Sequence, residues 1–133
     1  MPDTSEIAAA LQRGGIIDIT TTGRKSGQPR RIEIVFFYVD GGIWITGSPG
    51  SRGWIANLNE DPHMTFHLKK GIAADLPATA RVVTDPDERR PIIEHATNAW
   101  GKQDKFDVFF AGAPLIEVIF DDPSFVSPGS NGA

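Results

Sequence analysis

Residues 16–48 read IIDITTTGRKSGQPRRIEIVFFYVDGGIWITGS, and this stretch decides the fold. Ile16 to Thr22 is rich in β-branched residues, which suit a pleated strand. Gly23 and Gly27 can take positive φ and Pro29 bars continuation as a helix, so GRKSGQP reads as a turn. Arg30 to Val39 is a long second strand, polar at its start and apolar on both faces later. Such two-sided apolarity implies burial on both sides, as in a barrel wall or a subunit interface. Asp40-Gly41-Gly42 is a strong hairpin signal, and Ile43 to Ser48 forms the returning strand.

The flanks extend the pattern. Upstream, Ser5 to Gln12 allows a short helix with Ile7, Ala8 and Leu11 on one face, ended by Gly14 and Gly15. Downstream, GSPGSRG is a flexible connection, and Ser51 is placed to cap a short helix containing Trp54, Ile55 and Leu58. Asp61-Pro62 closes that helix. His63 to Lys69 alternates, with Met64, Phe66 and Leu68 facing one way and His63, Thr65, His67 and Lys69 the other. Another strand is expected over Ala78 to Thr84. Asp85 suits a helix N-cap, Pro86 the first helical position and Glu88 the reciprocal capping position. Ile92, Ile93, Ala96, Ala99 and Trp100 then fall at helical spacing. Phe106 to Phe110 is an aromatic-rich turn or short helix, and Leu115 to Phe120 is a last strand. The order predicts an antiparallel β-meander of about six strands with two helical insertions, an α+β chain that closes as a small barrel or curved sheet.

The chain has 133 residues, 40% of them apolar, which suits one domain with one core. That domain is expected over residues 1–126, with 127–133 as a disordered tail. There is no cysteine, so disulfides, thiolate metal sites and cysteine nucleophiles are excluded. This fits a reducing cytoplasm, as does the polar, acidic start Met1 to Glu6, the reverse of a signal peptide. No apolar run approaches the length of a transmembrane helix.

Net charge is −4, which disfavours general nucleic-acid binding. Against that background Arg24, Lys25, Arg30 and Arg31 concentrate four positive charges with no acid between them, a pattern suited to a small anionic ligand. Glu33 lies close by, and Arg31 is its candidate partner. The sequence has no dinucleotide fingerprint, phosphate loop of the Walker type or nucleophile elbow. His63 and His67 share a strand face but stand about 13 Å apart along it. They are expected to be solvated strand-face histidines, His95 a surface helix residue, and no metal site is predicted.

The basic turn admits two readings, a solvated hairpin tip or a phosphate cradle. In the second, converging backbone N–H groups join Arg24, Lys25, Ser26 and Arg30 around an anion. The loop Gly47 to Arg52 leads into a helix N-terminus, which also favours anions, and Arg52 adds a charge there. Trp54 and Leu58 serve as core, and Asn57 as a cap or a partner for buried backbone. Trp100, Phe106, Phe109 and Phe110 are core or the wall of an apolar pocket over a ring system.

The run Thr20 to Arg30, TTTGRKSGQPR, resembles the signature of the deazaflavin-dependent nitroreductase family. The likeness continues through the Gly-rich loop, Trp54-x-x-Asn57-Leu58 and Asp61-Pro62. It covers residues 16 to 84 well and the remainder loosely. The resemblance implies a split β-barrel of the FMN-binding, pyridoxamine phosphate oxidase-like type. It implies coenzyme F-420 as cofactor, with FMN as the alternative, and hydride transfer to a small acceptor such as a nitro compound, quinone or activated alkene. A ligand-binding module without turnover is the other alternative. The cofactor-binding residues implied are Arg24, Lys25, Ser26, Gly27, Arg30, Arg31, Ser48, Gly50, Arg52, Trp54 and Asn57. Ser48, Trp100, Phe106, Phe109 and Phe110 are the candidate substrate pocket. No catalytic side chain is assigned, and a homodimer is compatible with the second strand.

Overall fold

The structure, a computed structural model, describes residues 2–50 and 52–125. The expectations for Ser51 and for the 127–133 tail therefore lie outside the described residues.

Helix α1 (Thr4–Arg13) begins with a capping box: Glu6 N–H donates to Asp3 Oδ1 at 2.8 Å, and the Glu6 carboxylate accepts from Asp3 N–H. Strands β1 (Gly15–Thr22) and β2 (Pro29–Val39) pair across the basic turn, with Ile17 opposite Ile34, Ile19 opposite Ile32 and Thr21 opposite Arg30. A two-residue turn joins β2 to β3 (Gly42–Thr46), with Asp40 at φ 51° and Gly41 at φ 80°. Two successive positive φ values match the right-handed strand twist of a tight hairpin. Helix α2 (Gly53–Glu60), β4 (His63–Leu68), β5 (Ala74–Val82), helices α3 (Pro86–Ala99) and α4 (Phe106–Gly112) and β6 (Leu115–Phe120) complete the order.

The six strands form a closed antiparallel barrel in the order β1-β2-β3-β6-β5-β4. One continuous meander is thus replaced by two three-stranded ones. The chain leaves β3 through α2, crosses the barrel, and pairs β4 with β1. Closure removes every sheet edge, which a single open meander would have left exposed.

Strand alternation fills the barrel with side chains. Ile17, Ile19, Phe36, Ile45, Phe66 and Ile116 are fully buried, and Phe66 contacts Phe36 and Phe120 edge-on at 5.1 and 5.2 Å. Each such side chain contributes about 1.5–3 kcal/mol by leaving water. The two-sided apolarity of β2 belongs to a barrel wall. Phe36 points inward, while Phe37 points outward and meets Trp100 and His95 edge-on, each at 5.4 Å. Beneath α3 and α4 a second cluster gathers Trp44, Val83, Ile92, Ile93, Phe109 and Leu115.

Several expectations change at this level. β5 starts at Ala74, before Pro77, a residue that ordinarily argues against a strand interior. Pro77 lies one step past the paired end of β6, where its carbonyl accepts from Asp121 N–H at 3.0 Å and no donor is required of it. Asp85 caps α3 as expected, but Glu88 does not reciprocate; its carboxylate takes both Nη groups of Arg81 at 3.1 and 2.6 Å. Ala99 is exposed, because α3 ends there and its packing stripe has already turned away. The packing face instead includes Arg89, 9% exposed and without an acidic partner among the described residues. Its guanidinium donates to the carbonyls of Val83, Phe109, Phe110 and Ala113 at 2.8–3.4 Å. Burial lowers its pKa from the ordinary guanidinium value.

Candidate functional site

The basic turn is a folded unit. Gly27 N–H donates to Gly23 O and Gly23 N–H to Gln28 O, both at 2.8 Å, while Ser26 Oγ accepts from Gln28 N–H at 3.1 Å. Gly27 sits at φ 69°, in the left-handed region. Gly23 is required for space: a Cβ there would lie 2.6 Å from Ser26 Oγ and 3.2 Å from Gln28 O. Buried Asn57 on α2 pins this turn to the barrel. Its Oδ1 accepts from Arg24 N–H at 3.1 Å and from Arg24 Nη1 at 3.0 Å, and its Nδ2 donates to Thr21 Oγ1 at 3.1 Å.

Between the turn and α2 lies a cavity of about 330 Å³ lined by Thr21, Gly23, Arg24, Lys25, Ser26, Arg30, Ile32, Gly53, Trp54 and Asn57. Three cations and no acid line it. None of the three joins an ion pair among the described residues. The first turn of α2 supplies Gly53 and Trp54 to the same cavity, and among the described residues Arg52 at its N-cap makes no side-chain capping bond.

A second cavity, about 290 Å³, is lined by Ile34, Val35, Thr46, Gly47, Ser48, Trp100, Lys102 and Phe109. Arg30, Ile32 and Ile34 share one face of β2, with Arg30 and Ile32 lining the first cavity and Ile34 the second. Arg30 and Ile34 are four residues apart, about 13 Å along the strand. An elongated ligand with an anionic end and an apolar end fits that layout; either cavity alone lies near the lower limit for a small-molecule site.

Of the candidate residues, Arg24, Lys25, Ser26, Arg30, Trp54 and Asn57 converge on the first cavity, and Ser48, Trp100 and Phe109 on the second. Others stand elsewhere. Gly27 lines a shallow depression on the far side of the turn, with Thr20, His63 and Thr65. Arg31 points to the outer face of β2 and donates from Nε to Asp18 at 2.9 Å. Glu33, on that same face, pairs with Lys69 at 2.5 Å rather than with Arg31. The hydrogen bonds from Lys69 and Arg31 hold the Asp18 carboxyl below its ordinary pKa. Gly50 ties its loop to α4 through Gly112 O, and Arg52 folds back on the carbonyls of Ser48 and Pro49 at 3.4 and 3.2 Å. Phe106 and Phe110 stack on each other at 5.5 Å with Arg90 over Phe110 at 4.6 Å, outside the second cavity.

His67 is also placed differently from expectation. It is 7% exposed and bridges Thr20 Oγ1 at 2.6 Å and Asp75 Oδ1 at 2.7 Å. His63 is exposed as expected and pairs with Asp61. Sequence reasoning missed Thr21, Ile32, Ile34 and Lys102. The first three were available from the strand alternation of β1 and β2. The signal for Lys102 was Gly101, a helix-stopping residue that turns the chain back toward β2.

A family model for F420H(2)-dependent quinone reductase matches residues 2–108 of the chain. The chain belongs to that family. The quinone reductase family is one of oxidoreductases, and its match runs across both the basic turn and the start of the aromatic cavity. Among solved structures, a conserved hypothetical protein from Mycobacterium tuberculosis superposes with TM-score 0.76 at 17% identity, covering 92% of this chain and 82% of that one. A protein assigned to 5-nitroimidazole antibiotic resistance from Bacteroides thetaiotaomicron gives 0.70 at 14%, with the same coverage. A protein assigned as a pyridoxamine 5'-phosphate oxidase from Listeria innocua gives 0.67 at 13%, covering 90% and 94%. At these identities they establish a shared fold, the split β-barrel expected from the sequence. Among the described residues no helix is long and apolar enough to cross a membrane.

Proposed function

We propose that this quinone reductase family member uses coenzyme F-420 to reduce a small organic acceptor, a quinone, nitro compound or activated alkene. One observation carries the reading: three cations without an ion pair among the described residues line one cavity at the basic turn, and β2 contributes to both that cavity and a second, aromatic one. The donor set suits a phosphate-bearing tail. Lys25 supplies a flexible point charge, Arg30 a planar fork, and the start of α2 the positive end of a helix dipole. Asn57 acts through Arg24, holding the turn rather than the ligand.

The chemistry such a cofactor supplies is hydride donation to an electron-poor acceptor. What the chain supplies is placement. Ile32, Ile34 and Trp54 give a water-poor bed between the tail site and the pocket, and Trp100 and Phe109 wall the acceptor against it. Ser48 offers a hydroxyl at the pocket for an acceptor oxygen. FMN is the second reading, since its phosphate fits the same cations.

The test is anaerobic reduction of a naphthoquinone and of a nitroimidazole, driven by reduced F-420 or by reduced FMN. Turnover with F-420 that depends on the protein supports the reading. Turnover with FMN alone moves the protein to the flavin branch, and no turnover with either leaves it as a binding module.

A further inference from the structure

The second cavity carries a charge that hydride transfer to a neutral acceptor does not use. Its wall is apolar and aromatic along Ile34, Val35, Trp100 and Phe109, and the hydroxyl of Thr46 is taken by Pro114 O at 2.6 Å. Lys102 nevertheless lines it, and its ammonium belongs to none of the ion pairs among the described residues.

The end of α3 fixes the backbone of this lysine at the cavity rim, from which its exposed side chain extends. Trp100 is the C-cap, and Gly101 follows in the left-handed conformation at φ 67°. Gly101 N–H donates to Asn98 O at 3.2 Å and Lys102 N–H to Thr97 O at 2.7 Å, the paired bonds of a Schellman motif. Thr97 is itself buried, with its hydroxyl on Ile93 O and Glu94 O. Trp100 and Lys102 are thereby delivered together to one pocket, an aromatic wall and a cation two residues apart. A cation at an apolar pocket draws an opposite charge and rejects a like one, and its strength grows as water is displaced.

We propose that the acceptor is a planar ring compound bearing a negative charge, a carboxylate or sulfonate for example, and that Lys102 selects it. The inference rests on the reductase reading for turnover, but its binding component can be measured without any cofactor.

The experiment compares naphthoquinone with its sulfonate in wild type, Lys102→Met, Lys102→Glu and the control Lys105→Met. Each compound is first titrated into the cofactor-free protein, followed by quenching of Trp fluorescence. The kcat/KM ratio of sulfonate to neutral quinone is then measured with reduced F-420, and F-420 affinity is measured for each protein. Wild type is expected to prefer the sulfonate in binding. That preference and the kcat/KM ratio should each fall about tenfold, about 1.4 kcal/mol, in Lys102→Met. They should fall further in Lys102→Glu, stay at the wild-type value in Lys105→Met, and shrink with added salt. Equal ratios in wild type and Lys102→Glu would overturn the inference. So would a loss of F-420 affinity in Lys102→Glu as large as the loss for the sulfonate, because the ammonium would then serve the cofactor. Failure of wild type to bind F-420, with the sulfonate preference intact, would count against the reductase reading alone.

Discussion

Asn57 and Arg89 are the polar residues on which most geometry converges, and neither needs to touch a ligand. Asn57 satisfies Arg24 N–H, Arg24 Nη1 and Thr21 Oγ1 from a buried position. Asn57→Leu keeps the volume but leaves those groups without partners. It is expected to cost about 1–3 kcal/mol in urea denaturation and to weaken anion binding at the turn even though no charge is removed. Arg89→Met strips the hydrogen bonds from the carbonyls of Val83, Phe109, Phe110 and Ala113. A loss of about 3 kcal/mol is expected, read in the same denaturation experiment. Arg89 was invisible from sequence because an arginine at helical spacing reads as a solvated face. Only the fold reveals that α4 ends against it and presents its C-terminal carbonyls. His67 failed for a related reason: alternation assigned its face correctly, but Asp75 comes from a neighbouring strand and closes over it. Asp75 and Asp18 are held below the ordinary carboxylate pKa, first by hydrogen bonds from His67 and from Lys69 respectively. A carboxyl with a lowered folded pKa favours the folded state only while ionised. Stability from these pairs is therefore complete above about pH 5 and is lost as pH falls below about 4. Asp18→Asn should flatten that acid limb of a thermal-melt series, and an unchanged limb would remove Asp18 from the account.

At the scale of elements, the basic turn was legible because its constraints are local. Gly27 needs a positive φ, Gly23 leaves no room for a Cβ, and both sit within one hairpin. The elements of the second cavity were harder to read. Its aromatics come from α3 and α4, and which of them face β2 depends on where α3 stops. Trp100 and Phe109 reach the pocket, while Phe106 and Phe110 stack under Arg90. The C-terminal turn of α3 can be tested directly. Nothing lies within 4 Å of a Cβ placed on Gly101, so Gly101→Ala strains only the backbone. A cost of about 1–2 kcal/mol is expected, seen as a Tm lower by about 4–7 °C. The KM for the acceptor should rise, with cofactor affinity unchanged. A rise in both constants would mean that the two cavities are not independent.

For the whole molecule, the six-strand count and the antiparallel class followed from alternation and turn chemistry. The order of strands did not. Nothing local in GSPGSRG shows that the chain crosses the barrel instead of adding β4 beside β3; burial of β1 on both edges is what demands it. That crossing matters for function, because it carries α2 over the hairpin and brings Asn57, Trp54 and the start of α2 against Arg24, Lys25 and Arg30. The central claim is that this junction of hairpin and crossing helix holds the anionic end of coenzyme F-420. Fluorescence titration of F-420, with FMN in parallel, tests it on wild type and on Lys25→Ala/Arg30→Ala, a pair that leaves the Arg24–Asn57 bond intact. F-420 is expected to bind at micromolar concentration or below, and the double variant to weaken binding at least tenfold, about 1.4 kcal/mol, with an unchanged Tm. F-420 binding equally tight in both proteins, or absent from wild type, would contradict it.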